Sequence, residues 1–273
     1  MRPLDDIDIY LPLDGANLFC YMHGAVLPYT VLTDGLLWNP LLSPRWADGG
    51  WVSQSKIVSG FASVLQRRFP QTKVSPSGQA VAVRMTLGAT STSDGLAYDI
   101  VPCFSLSPQQ KTERPFYLIP DGKDGWIRTN PRIDAGIGDF LQRNHNKYFR
   151  KVVKLLKYWN AEQLSGKLNS YFVELTIAKA FLEKAVKPEP ITKLSYGVAL
   201  GFWSVQQAVL KGAQNSWVEG APLVEPGVLL VGHQILLRSA TDLACAAWED
   251  EQASRMASAA MKWKRVFGDK FPD

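Results

Sequence analysis

Apolar and acidic positions alternate at the start of the chain, where Asp6, Ile7, Asp8 and Ile9 read as a strand. Successive side chains of an extended chain point to opposite faces, so Asp6 and Asp8 share one face while Ile7 and Ile9 turn towards an apolar interior. Between 11 and about 50 the period is broken by Asp14-Gly15, Asp34-Gly35 and Asp48-Gly49-Gly50, and the stretch reads as an irregular insertion. From 53 to 69, Ile57, Val58, Phe61, Val64 and Leu65 recur at spacings of three and four, with Arg67 and Arg68 at the end that suits cations. This predicts an amphipathic helix, ended by Pro70. Short strands are predicted at Val74, 80–83 and 85–87, then a longer one over 95–104 that sets Asp99 among apolar neighbours. The order strand, loop, helix, strand, strand predicts an α+β lobe.

The second half has a different rhythm. Tyr117-Leu118-Ile119-Pro120 leads through a glycine-rich turn to Trp126-Ile127-Arg128-Thr129-Asn130-Pro131, and a helix is predicted from about 138. Further on, Phe149, Val152, Val153 and Leu156 mark one helical face, and Arg150, Lys154 and Lys157 mark another. A basic stripe is usually a solvated face; downstream of grouped acids it equally suits a triphosphate. The apolar run 227–237 is short and interrupted by His233 and Gln234, which predicts a buried helix rather than a membrane span.

Composition narrows the classes. A chain of 273 residues, 46% hydrophobic and 20% charged, can bury a core of one large or two closely packed lobes, which argues against extensive disorder. Cys20, Cys103 and Cys245 are odd in number and widely spaced, giving neither a disulfide framework nor a zinc pattern, and are expected to pack. His23, His145 and His233 stand in unrelated settings, so histidine-based chemistry has little support. The start lacks the basic-then-apolar pattern of a signal peptide, and the expectation is a cytoplasmic protein with no membrane contact. A net charge of +5 suits polyanionic ligands but is too small to predict a stable nucleic-acid complex.

The candidate chemistry lies with the acids. Two carboxylates on one strand face repel, and a divalent cation with hard-oxygen preference offsets that repulsion. Asp-x-Asp alone is more often a solvated turn; Asp99, a third acid inside an apolar strand, changes the weighing. Asp6 and Asp8, then a lone strand acid at Asp99 followed after one residue by Val101-Pro102, resemble the polymerase-β-like nucleotidyltransferases. In those enzymes three such acids hold two Mg²⁺ ions between the attacking oxygen and the phosphates.

Further motifs sharpen the resemblance. Trp126 to Pro131, Leu155-Leu156-Lys157-Tyr158-Trp159-Asn160, Asn169-Ser170-Tyr171-Phe172-Val173-Glu174 and the close from Trp263 through Phe267-Gly268 to Phe271-Pro272 follow in order. Together they are similar to the bacterial cGAS/DncV-like nucleotidyltransferases, the CD-NTases. The resemblance implies a nucleotidyltransferase lobe with a mixed sheet over about 1–135 and a helical lobe over about 136–273. It implies joining of NTPs, ATP among them, into a cyclic di- or oligonucleotide that signals in CBASS antiphage defence. The implied partners are a CBASS effector reached through the cyclic product and regulatory proteins. The implied cofactor is a pair of Mg²⁺ ions, with Mn²⁺ as a substitute.

Carried onto this chain, the metal role falls to Asp6, Asp8 and Asp99, triphosphate contacts to Lys157 and Ser170, and base stacking to Tyr171. Read without the family, Ser170 is a helix N-cap and Tyr171 a core residue. One element of the pattern is missing: the Gly-Ser turn that precedes the first acid pair in this fold, since Met1 lies five residues before Asp6. The expectation is an N-terminally incomplete catalytic lobe with impaired synthesis. Two other classes stay open, a nucleotidyltransferase acting on RNA or a small molecule and a non-catalytic nucleotide-binding protein.

Overall fold

The computed structural model describes residues 7–22, 29–32, 39–86, 95–106, 116–122, 125–187, 189–214, 222–224 and 229–268. The chain divides into two compact units, Met1–Asn130 and Pro131–Asp273.

The first unit contains β1 (Ile7–Pro12), β2 (Phe19–Met22), β3 (Tyr29–Leu32), β4 (Ala47–Asp48), β5 (Trp51–Val52), α1 (Gln54–Arg68), β6 (Lys73–Ser77), β7 (Ala80–Thr86), β8 (Gly95–Leu106), β9 (Phe116–Pro120) and β10 (Trp126–Thr129). Among the described residues these strands form one mixed sheet in the order β4-β5-β3-β10-β9-β8-β7-β6, with β1 added on β8 and β2 on β3. The β1–β8 pair is parallel; the other pairs in this sheet are antiparallel. Its two faces differ. Val81, Val83, Tyr98 and Ile100 pack with Val58, Phe61, Ala62 and Leu65 of α1, while Ile57 of the expected stripe enters another cluster and Val64 is exposed. The opposite face carries a second cluster of Ala80, Val101, Cys103 and Ile119, with Tyr10, Tyr117 and Ile127 against it.

The segment expected to be an irregular insertion contains a hairpin, β2–β3, and a second, tighter one, β4–β5. Asp48-Gly49-Gly50-Trp51 makes the tighter hairpin, with both central residues at positive φ, 58° and 96°. Such a turn matches the twist of the flanking strands and is cheap only for glycine at both positions. Ile9, expected inside, is 42% exposed. Cys20 is exposed rather than packed, whereas Cys103 is buried.

The second unit is helical: α2 (Pro131–Asn144), α3 (Phe149–Gln163), α4 (Ser170–Val186), α5 (Leu194–Lys211), α6 (Val231–Gln252) and α7 (Met256–Phe267), with a small β11–β12 ribbon (Ala213–Gln214, Pro222–Val224) between α5 and α6. Phe149, Val152, Val153 and Leu156, expected on one face of α3, all enter its core with Phe172, Phe181 and Phe202. Gly197 and Gly201 let α5 lie close on α3: a Cβ at either would stand 3.0–3.1 Å from Val152. Two expectations are corrected. The helix expected from about 138 begins at Pro131, because proline at the first helical position loses no hydrogen bond and Asp134 suits the first turn. The run 227–237 is not a buried helix. Helix α6 begins at Val231, and Leu230 and Val231 are 74% and 72% exposed, with Ile235 and Leu236 exposed as well. Among the described residues no helix is long and apolar enough to cross a membrane.

Candidate functional site

On the first unit the site is an acidic pair set by strand register. Asp8 of β1 is the Cα partner of Asp99 of β8 in the parallel ladder. Registered residues of parallel strands project to the same face from strands about 4.8 Å apart, so two acids from distant stretches stand side by side. They share the face opposite α1, and Ala82 of β7, the other neighbour of Asp99, adds little bulk there. Asp8 is exposed and Asp99 half-buried. Asp6 lies outside the described residues. Among the described residues there is no group of three or more His, Cys, Asp and Glu placed to hold a metal ion. Along the same face Cys103 is fully buried, and burial pushes its thiol up to about 11, which makes it a packing residue.

On the second unit the start of α4 gathers the other candidates. Asn169, not Ser170, caps this helix: its side chain accepts from the backbone N–H of Tyr171 at 2.8 Å and of Phe172 at 3.3 Å. Ser170 is therefore the first helical residue, and its side chain is exposed. Tyr171 is not a core residue; it is 36% exposed. Lys157 reaches from α3 to Glu174 of α4, with Nζ 2.6 Å from Oε2, both side chains partly exposed. Arg150 and Lys154, the rest of the basic stripe, are exposed, and Arg150 pairs with Asp139.

Asn160 locates this helix start. Buried in α3, its side-chain amide donates to the Leu168 carbonyl at 2.8 Å and its oxygen accepts from the Leu168 N–H at 3.0 Å. This two-point clamp fixes the chain just before Asn169. Beside it Trp159 packs edge-on against Phe202 at 5.1 Å. Lys157, one turn before Asn160 on α3, has the Glu174 carboxylate as the anion facing its ammonium.

Asp134, in the first turn of α2, completes the cluster and was missed by the sequence reading. The Tyr171 hydroxyl donates to its two carboxylate oxygens at 3.3 and 3.4 Å. Burial pushes the Asp134 carboxyl up, the Tyr171 hydrogen bond lowers it and nearby Glu174 raises it. Glu174 was visible in sequence only by its spacing from Ser170. Its pairing with Lys157 depends on how α3 and α4 pack.

No family model matches the chain. A Bacillus cereus (strain VD146) protein named as a probable cyclic nucleotide synthase is 24% identical over 289 residues, covering 100% of this chain and 78% of the relative. CdnC of Escherichia coli MS115-1, solved with ATP and also in complex with a HORMA protein, superposes in its ATP form with a TM-score of 0.55 at 19% identity, covering 81% of this chain and 74% of that one. The Vibrio cholerae cyclic AMP-GMP synthase DncV, solved with a linear intermediate, gives 0.55 at 15% identity, covering 81% and 59%.

Proposed function

We propose that this chain is a CD-NTase, a nucleotidyltransferase that joins NTPs into a cyclic oligonucleotide; its similarity along its whole length to a probable cyclic nucleotide synthase and its CdnC-like fold support the reading. The observation that carries the reading is the pairing of Asp8 with Asp99 across the parallel strands, which brings two hard-oxygen donors to one face. That donor set, with neither sulfur nor imidazole, fits Mg²⁺ or Mn²⁺. Asp6, Asp8 and Asp99 are the proposed ligands. Bound there, the ions would neutralise charge on the attacking and leaving oxygens of phosphoryl transfer.

The remaining residues bind and orient. Lys157 offers an ammonium to the triphosphate, exchanging the Glu174 carboxylate for phosphate oxygens. That exchange costs little, because a partly exposed ion pair contributes only about 0–1 kcal/mol. Ser170 donates from its hydroxyl, and the exposed face of Tyr171 stacks on a base. Orientation matters because phosphoryl transfer depends chiefly on positioning and charge stabilisation. The ATP-bound form of CdnC supports ATP as one substrate, and its HORMA complex supports a regulatory protein partner. The resemblance supports antiphage signalling in CBASS, with an effector protein responding to the product.

The test is incubation of the purified chain with the four NTPs and Mg²⁺ or Mn²⁺, followed by mass analysis of products. Slow formation of a cyclic product by the parent chain is expected. Asp8→Asn and Asp99→Asn are each expected to lower its rate by two orders of magnitude or more, roughly the scale of lost electrostatic stabilisation. Unchanged turnover in Asp99→Asn would sink the assignment. Nucleotide binding without any product would favour a binding protein that keeps the fold.

A further inference from the structure

Within the nucleotide-binding reading, on which this inference rests, we propose that Asp134 is a positioning residue for nucleobase binding. Its carboxylate holds the Tyr171 hydroxyl and so fixes the ring plane on which a base stacks.

An aromatic side chain that is 36% exposed in the first turn of a helix turns freely about two torsions unless something holds its far end. Here both ends are held. The backbone N–H of Tyr171 donates to Asn169, which anchors the near end. The hydroxyl donates to both Asp134 oxygens, which anchors the tip. The two residues lie 37 positions apart on different helices, so the contact is made by packing of α2 on α4 rather than by local chain geometry. Asp134 sits in the first turn of α2, where the helix dipole favours a carboxylate. Holding the ring before the ligand arrives removes part of the ordering cost of binding.

Stacking needs only a π-face, so a fixed ring serves every base alike. The measurement is calorimetric titration of ATP, GTP, CTP and UTP into the parent chain, Asp134→Ala, Asp134→Asn, Tyr171→Phe and the Asp134→Ala/Tyr171→Phe pair, with Lys157→Ala alongside. Asp134→Ala and Tyr171→Phe should each weaken all four nucleotides by about three- to tenfold, the scale of one hydrogen bond. The pair should be no weaker than either single variant, because both remove the same contact. Asp134→Asn should stay within about twofold, since its amide oxygen still accepts from the phenol. Melting temperatures should not move.

Additive losses, or a loss confined to one base, would overturn the inference; the second result would mean that Asp134 reads the base edge itself. Unchanged affinity in Tyr171→Phe would also overturn it, and that variant keeps the ring and its packing if Asp134→Ala proves unstable. If Lys157→Ala loses affinity while the Asp134 variants do not, the positioning role fails and the nucleotide-binding reading stands. If the parent chain binds none of the four NTPs, both fall.

Discussion

Lys157 and Glu174 meet across 17 residues of sequence, and their partial exposure decides what the contact is for. As a stabilising pair it contributes at most about 1 kcal/mol, while an ammonium facing a triphosphate makes a charge-assisted bond of about 1.5–3 kcal/mol. Lys157→Ala should therefore weaken ATP binding roughly ten- to a hundredfold and barely change the melting temperature. Glu174→Gln, which frees the ammonium from its competitor, should bind ATP at least as tightly as the parent chain. Calorimetric titration and thermal melts of both variants check this, and a large loss of stability in Lys157→Ala with unchanged affinity would make the pair structural. Sequence made Lys157 legible through its basic stripe and the Trp-Asn motif beside it. Its partner was not, because a pair of residues on two helices is fixed by packing and leaves no local period. The acids behaved in the same way: alternation around Asp8 and the apolar setting of Asp99 were visible, but the register that pairs them was not.

Among the elements, α3 carries both the lysine and the clamp that sets the start of α4. Leu168 is 3% exposed, and both of its backbone polar groups are bonded to the Asn160 side chain. Asn160→Leu keeps the number and branching of side-chain heavy atoms and removes both bonds. Leaving a buried donor and a buried acceptor without that partner costs about 1–3 kcal/mol each. The expected outcome is a lower urea midpoint together with weaker ATP binding, because the Ser170–Tyr171 turn loses its anchor. An unchanged midpoint would show that the clamp is dispensable. Helices such as α1 and α3 were legible because a sustained spacing of three and four has one physical solution. The strands β2 to β5, two to four residues long, are too short for a period to stand out, and Gly136 and Gly138 hid the first turns of α2. The exposed start of α6 teaches a different lesson: an apolar run records composition, and burial depends on what packs against it.

At the scale of the whole molecule, the buried titratable groups set how stability responds to pH. His145 is completely buried, its Nδ1 accepts from the Ile191 N–H at 3.0 Å, and its ring meets Phe181 edge-on at 5.1 Å. A ring nitrogen that accepts cannot carry a proton, so the folded imidazole is neutral. Burial pushes His145 below its ordinary value of 6.5, with the Phe181 backbone opposing to a lesser degree. Below pH 6.5 the unfolded chain takes up a proton that the folded chain refuses. Stability from this group is thus full above 6.5 and falls as pH drops towards the folded value, by up to about 1.4 kcal/mol per pH unit. Asp250, held well below the usual carboxylate range by Lys262, Ser258 and Arg255, acts in the same sense but only below its ordinary 3.8. Asp134, raised by burial, acts in the opposite sense and above 3.8, where the folded chain takes up its proton before the unfolded chain does. Between pH 7.5 and 5.5 a fall in stability can therefore come from His145 among these three, since Asp250 acts only below 3.8 and Asp134 opposes the fall. Urea unfolding across that interval should show a falling midpoint in the parent chain. His145→Gln can still accept from Ile191 but does not titrate, and its midpoint should fall less. A parent midpoint that is flat over this interval, or an equal fall in both chains, would remove His145 as the source of the pH dependence.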